Sequence, residues 1–267
     1  MEVHKKIAVI GTGNLGNAIV EGMIESQKFS ADNIIATRRQ THLIDSLQQK
    51  GVHTTSDNCQ AVRESHIVIL AVQPKQLEQI LHEIADDLHE DHIIVSVITG
   101  VAIEQIGRLL SKPIAIVRAM PNTAIAIKQS MTCIAHRNVS PDSLSEVQSI
   151  FDTLGKTLII DEELMAAATV LGACGIAFFM RFIRAASQGG IEVGFHAEEA
   201  QLIAAQTAKG AASLLLAHHT HPEQEIDKVT TPQGCTIAGL NEMEHNGLSS
   251  ALIKGVKASF NRIADIT

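Results

Sequence analysis

The run Lys6-Ile7-Ala8-Val9-Ile10-Gly11-Thr12-Gly13-Asn14-Leu15-Gly16 constrains the fold more than any other stretch of the chain. Ile7 to Ile10 are uninterruptedly apolar, too short for a helix core and right for a strand buried on both faces. A G-x-G-x-x-G pattern follows at once as Gly11, Gly13 and Gly16, and Ile19, Val20, Met23 and Ile24 then recur at helical spacing. Strand, tight turn and helix in that order are the context in which these glycines bind a dinucleotide. Gly11 permits the turn, Gly13 lets the backbone approach a pyrophosphate, and Gly16 lets helix and strand pack closely. The helix start offers unpaired N–H groups to the phosphates. The alternative is a glycine-rich βα turn that holds no ligand.

The second strand, Asn33 to Thr37, ends at Thr37-Arg38-Arg39. An acidic residue there would hold the ribose hydroxyl of NAD; two guanidiniums suit the 2′-phosphate of NADPH instead. The nearest carboxylates, Asp32 and Asp45, flank the position. NADPH is therefore the expected cofactor and NADH the second choice, against the alternative of a solvated basic pair at a helix start.

Further apolar strands are expected at Val52–Thr54, Ile67–Val72, Ile93–Val97 and Ile114–Ala119. Amphipathic helices are expected at Thr41–Lys50, Ser56–Ser65 and Leu77–Ile84. This alternation predicts a parallel sheet with right-handed crossovers. Short strands near Met131–Ala135 and Thr157–Ile160 flank a helix over Pro141–Leu154. The fold class is α/β: a Rossmann-type domain over 1–160, then an all-helical domain over 161–267.

Leu164 to Met180 contains no charged residue. A run of that length raises the question of a membrane span. Thr169, Gly172, Cys174 and Gly175 within it, and Arg181 and Arg184 after it, favour a helix buried in protein and shared with a second subunit. Ala197 to Ala217 and Leu248 to Ile266 read as two further long helices.

The formal net charge of −8 leaves no electrostatic footprint for nucleic acid, and the absence of Trp and Tyr removes stacking platforms for bases. Cys59, Cys133, Cys174 and Cys235 are widely spaced without a C-x-x-C, which suits a reducing compartment and no zinc. His218-His219-Thr220-His221 has no carboxylate or cysteine at workable spacing and reads as a solvated loop before Pro222. Lys5 and Lys6 precede an apolar run too short for a signal peptide, so a cytoplasmic protein without a membrane span is expected.

Thr230-Thr231-Pro232-Gln233-Gly234-Cys235-Thr236 precedes a helix expected over Ile237–Glu244, with Thr236 as its N-cap. Loop N–H groups and a helix start make a second anion site, suited to a substrate carboxylate. An ordinary capped helix after a turn is the alternative.

Taken together, these motifs make the chain similar to pyrroline-5-carboxylate reductases from end to end. The resemblance rests on Gly11–Gly16, Ala71-Val72-Gln73-Pro74-Lys75, Arg118-Ala119-Met120-Pro121-Asn122-Thr123, Ala205-Gln206-Thr207 with Gly210-Ala211-Ala212, and the signature Val229–Leu240. It implies an interwound homodimer, which in this family often assembles further. It implies cofactor contacts at Gly11, Gly13, Asn14, Leu15, Arg38, Val72, Pro74, Lys75 and Asn122. It implies that Thr231, Gly234, Cys235 and Thr236 hold the substrate, with Thr236 near the ring nitrogen as the catalytic residue. The chain departs from the family at Gly172–Phe178, where a Ser-Gly-Pro-Ala-Tyr-like segment is usual, and at Gln233, where glycine is usual. The implied reaction is reduction of Δ1-pyrroline-5-carboxylate to L-proline by NADPH. A reductase of another cyclic imine or of a hydroxy acid on the same architecture, and a non-enzymatic NADPH-binding regulator, are the alternatives.

Overall fold

The computed structural model describes residues 5–110 and 112–264. Its described residues form two compact units. One runs to Cys174 and takes in the residues from Phe260 on; the other is Gly175–Ser259.

The first unit is built on one sheet of eight strands: β1 (Ile7–Ile10), β2 (Ile34–Thr37), β3 (His53–Thr55), β4 (Ile67–Leu70), β5 (Ile93–Ser96), β6 (Ala115–Met120), β7 (Ser130–Arg137) and β8 (Gly155–Ile159). Their order is β3-β2-β1-β4-β5-β6-β7-β8. The chain reverses direction across the sheet at β1, so a crevice opens where β1 is flanked by β2 and β4. The helices are α1 (Asn14–Glu25), α2 (Asp45–Gln49), α3 (Asn58–Arg63), α4 (Leu77–Ile84), α5 (Ile103–Leu109) and α6 (Pro141–Asp152).

β1, β2, β4 and β5 are buried at nearly every position, which is why each reads as a continuous apolar run. Alternate side chains feed two cores. Ile7, Val9, Ile67 and Val95 meet α1 and α6 through Ile19, Met23, Val147 and Phe151. Val68, Leu70 and Ile94 face α4 and α5 through Leu81, Ile84 and Ile106. Burial of each such side chain contributes about 1.5–3 kcal/mol before entropy.

One expectation fails at β7, which pairs antiparallel with β6, Val117 opposite His136. Residues 121–129 join them through a short 3₁₀ turn, Thr123–Ile127. A parallel crossover needs a dozen residues or more, so this connection returns the chain antiparallel. α6 then provides a full crossover, and β8 lies parallel to β7.

After β8 the chain enters α7 (Met165–Ala168), then a π-helical turn, Thr169–Cys174. The second unit holds α8 (Gly175–Glu192), α9 (Ala197–His218), α10 (Pro222–Val229), α11 (Cys235–His245) and most of α12 (Leu248–Ala264). Within one chain the apolar run is buried only in part: Met165, Thr169 and Val170 are buried, but on α8 only Gly175 and Ser187 are, while Phe179, Met180 and Phe182 are exposed. By length and composition alone, Glu162–Glu192 is apolar enough to cross a membrane. α9 likewise exposes Leu202, Ile203, Leu214 and Leu216. Pro222 does not merely end a loop; it opens α10, and His221 caps that helix by accepting from Glu223 N–H.

Candidate active site

The turn after β1 is pinned to the end of β2. The Gly11 and Thr12 amides donate to the Thr37 carbonyl at 3.3 and 2.9 Å. Gly11 has φ +88°, and a Cβ there would press on the side chain of Val72 and lie 2.9 Å from the Ala71 carbonyl oxygen. Glycine is therefore required at this position by the protein itself. At Gly13 a Cβ would meet only the Gly11 carbonyl oxygen, 4.0 Å away. That open space lies at the start of α1, whose first turn carries no acidic residue. The amides of Asn14, Leu15 and Gly16 have no acceptor among the described residues. The helix start thus presents unpaired donors and partial positive charge to an empty approach, the arrangement a pyrophosphate needs.

A cavity of about 640 Å³ opens beside this turn. Ile10, Gly11 and Gly13 form one side, Thr37, Arg38 and Arg39 another, and Ala71 and Val72 a third. It thus sits beyond the carboxyl ends of β1, β2 and β4, and its size suits a cofactor. Arg38 is anchored by donation from Nη1 to the Thr12 carbonyl at 3.0 Å, which ties the guanidinium to the glycine turn. Asp32 and Asp45 do not line the cavity. The residues fit NADP(H): donors at the turn, two guanidiniums at the ribose position and no carboxylate at the end of β2.

The other residues expected at the cofactor are placed as follows. Asn14 lines a neighbouring cavity with Gly13 and Arg38. Leu15 is half-buried, its side chain packed against the core, and its amide is among the unpaired donors of the helix start. Pro74 and Lys75 lie exposed on a 3₁₀ turn after β4. Asn122 is engaged internally: its Oδ1 accepts from Ala124 N–H at 3.0 Å and its Nδ2 donates to the Gly172 carbonyl at 3.2 Å. Gly172 belongs to the π-helical turn, where the ordinary helical bond pattern is broken and a carbonyl is freed to accept from outside. Sequence reasoning missed Ser56, Asn58, Gln76, Gln79 and Glu83, all of which line the main cavity. The rule that ligands gather beyond strand ends, applied to β3 as well as β2, would have found the first two.

On β6, Arg118 is buried, and its Nη1 lies 3.4 Å from Glu162 Oε1. Burial pulls the Arg118 pKa down, and Glu162 opposes the shift. The same Glu162 oxygen accepts from Ile103 N–H at 2.6 Å and so caps α5.

In the helical unit, the threonine-rich stretch folds as a tight turn. Gly234 N–H donates to the Thr231 carbonyl at 2.9 Å, with Pro232 and Gln233 between. Gln233 has φ +58°, the left-handed conformation that glycine adopts without strain. A Cβ on Gly234 would lie 2.5 Å from Thr231 Oγ1 and 3.0 Å from the Thr231 carbonyl oxygen, so a side chain here would force Thr231 to shift. α11 begins at Cys235 with Gly234 as N-cap and no side-chain cap. The expected N-cap role of Thr236 is thereby corrected: it is the second helical residue. Its half-buried hydroxyl, like the Cys235, Thr236 and Ile237 amides, has no partner among the described residues. The Cys235 thiol is exposed and free. The described residues hold no group of three or more metal-ligating side chains.

Comparison with known proteins bears on the same two regions. Residues 6–100 match the family described as "NADP oxidoreductase coenzyme F420-dependent", and residues 162–266 match "Pyrroline-5-carboxylate reductase dimerisation". The chain is 51% identical to pyrroline-5-carboxylate reductase 1 of Dictyostelium discoideum over 97% of its own length, and spans about half (49%) of that relative. It is 47% identical to pyrroline-5-carboxylate reductase 2 of the same organism, covering 96% of this chain and 91% of the relative. The solved structure of a pyrroline-5-carboxylate reductase from Coxiella burnetii superposes with a TM-score of 0.95 at 29% identity, over 99% of both chains. The fold class and the NADP(H) dependence expected from sequence are borne out, and the exposed apolar helices of the second unit fall within a dimerisation domain. On this evidence the chain belongs to the pyrroline-5-carboxylate reductase family, NAD(P)H-dependent oxidoreductases that reduce Δ1-pyrroline-5-carboxylate to L-proline.

Proposed function

We propose that the two anion-holding helix starts divide the work of this reduction. The unpaired amides at the start of α1, with Gly13 leaving room, hold the pyrophosphate, and Arg38 and Arg39 hold the 2′-phosphate. Val72, Pro74 and Lys75 border the cofactor from the end of β4, and Asn122 supports it from the end of β6. NADPH supplies the hydride that reduces the C=N carbon.

The Thr231–Gly234 turn shapes the second site. The Cys235 and Thr236 amides at the start of α11 hold the substrate carboxylate. The Thr236 hydroxyl is the hydrogen-bond partner of the ring nitrogen; as an alcohol it is a poor acid by itself, so it relays a proton through water. Fixing the substrate at its carboxylate and its nitrogen contributes to rate mainly by alignment. The observation that carries this reading is a helix start with unpaired donors and an unpartnered threonine hydroxyl within the family's signature loop.

The exposed apolar faces of α8 and α9 are covered by the second subunit, not by lipid, and dimers assemble further. The protein works in the cytoplasm. Replacement of Thr236 by Val tests the catalytic assignment. Turnover falls about a hundredfold or more, the scale of a lost acid–base partner, while the Kd for NADPH stays within about twofold. Unchanged turnover removes Thr236 from the mechanism.

A further inference from the structure

The cofactor cavity contains a carboxylate beside its two arginines: Glu83, on α4, lines the same space. Placed there, it looks like an obstacle to an anionic 2′-phosphate, but its hydrogen bonds give it another task. Glu83 Oε1 accepts from Asn58 Nδ2 at 3.1 Å. An ionised carboxylate can only accept, so the nitrogen of the Asn58 amide must face it. From the other side, Asn58 Oδ1 accepts from the buried Thr37 hydroxyl at 2.7 Å. Thr37 stands at the end of β2, and the same residue anchors the glycine turn. The amide is therefore oriented from both ends. Thr37 has committed its only hydroxyl proton and has none for a ligand. Among the described residues Asn58 keeps one N–H uncommitted, and it lines the cavity with Arg38 and Arg39.

We propose that Glu83 is a positioning residue for cofactor choice: it holds the Asn58 amide so that its free N–H serves the 2′-phosphate of NADPH. The proposal rests on the NADPH reading of this cavity. Without Glu83 the amide is held by Thr37 alone. A hydroxyl accepts from Nδ2 as readily as it donates to Oδ1, so the amide turns over and presents its oxygen to the phosphate. Direct repulsion by Glu83 predicts the opposite sign, because removing the carboxylate would then tighten NADPH.

The test is steady-state kinetics of the full-length protein with NADPH and with NADH at saturating pyrroline-5-carboxylate, for wild type, Glu83→Gln and Glu83→Ala. Glu83→Ala raises the KM for NADPH about tenfold, the scale of one hydrogen bond to a charged group, with kcat and the KM for NADH within about twofold. Glu83→Gln keeps an acceptor oxygen for Asn58 and restores the KM for NADPH to within about twofold of wild type. An unchanged or lowered KM for NADPH in Glu83→Ala, an equal rise for both cofactors, or no rescue by Glu83→Gln overturns the proposal while leaving the NADPH reading intact. A wild type that oxidises NADH and not NADPH removes the cofactor reading and the proposal with it.

Discussion

A side chain at Gly13 would find open space, whereas one at Gly11 would strike β4's trailing loop. These two of the three fingerprint glycines thus differ: the fold itself requires Gly11 and leaves Gly13 room. Gly11→Ala lowers stability by about 2–4 kcal/mol, because a left-handed φ and backbone overlap act together. Gly13→Ala leaves stability within about 1 kcal/mol, yet weakens NADPH binding about tenfold or more by intruding on the pyrophosphate. Thermal melts with and without NADPH separate the two cases, since in Gly13→Ala only the ligand-dependent rise in Tm shrinks. At this scale the places of the glycine turn and Arg38 were legible, because they follow from backbone geometry and from position at a strand end. The Thr37–Asn58–Glu83 network was not: its members lie far apart in sequence and are joined only by the sheet and α4.

Among the elements, strands were read well because burial on both faces writes a continuous apolar run. Direction was not legible at β7, since an apolar run is the same read parallel or antiparallel and only the length of the connection decides. The cap of α11 was misplaced by two residues because Gly234 caps through its backbone, while Thr236 looked like a capping side chain. α5 and α10 were passed over as short elements. α5 starts on a borrowed cap, the Glu162 carboxylate, which also faces buried Arg118. Glu162→Ala removes both partners at once, and urea denaturation should show a loss of about 2 kcal/mol, larger than a lost cap alone. In the helical unit, Glu225 accepts from Lys228 and Thr220, and these bonds hold its pKa down to about 2. A carboxylate pKa lowered on folding stabilises above its unfolded value near 4.3, and the contribution is lost as pH falls toward 2. Glu225→Gln therefore narrows the stability difference between pH 6 and pH 2, about the limits of this window, relative to wild type in denaturant titrations. An identical pH dependence in the two proteins would remove Glu225 from the acid response.

For the molecule as a whole, the sequence signalled that one chain is not the working unit. An apolar helix without a polar face requires a cover, and α8 finds little of it within its own chain. The match of residues 162–266 to a dimerisation domain supplies the missing surface. What sequence could not show is that the apolar run is broken by a π-helical turn, whose Gly172 carbonyl is tied to Asn122. Charging the exposed face with Phe179→Lys and Phe182→Lys should shift the protein to monomer in analytical ultracentrifugation and abolish activity, while NADPH still binds to the first unit. The central claim, that the glycine turn and the threonine-rich turn serve one reduction, is tested most directly by product formation. Purified protein given NADPH and Δ1-pyrroline-5-carboxylate should consume one NADPH for each L-proline formed, with NADPH preferred over NADH. Tight NADPH binding with no proline formed would contradict the account.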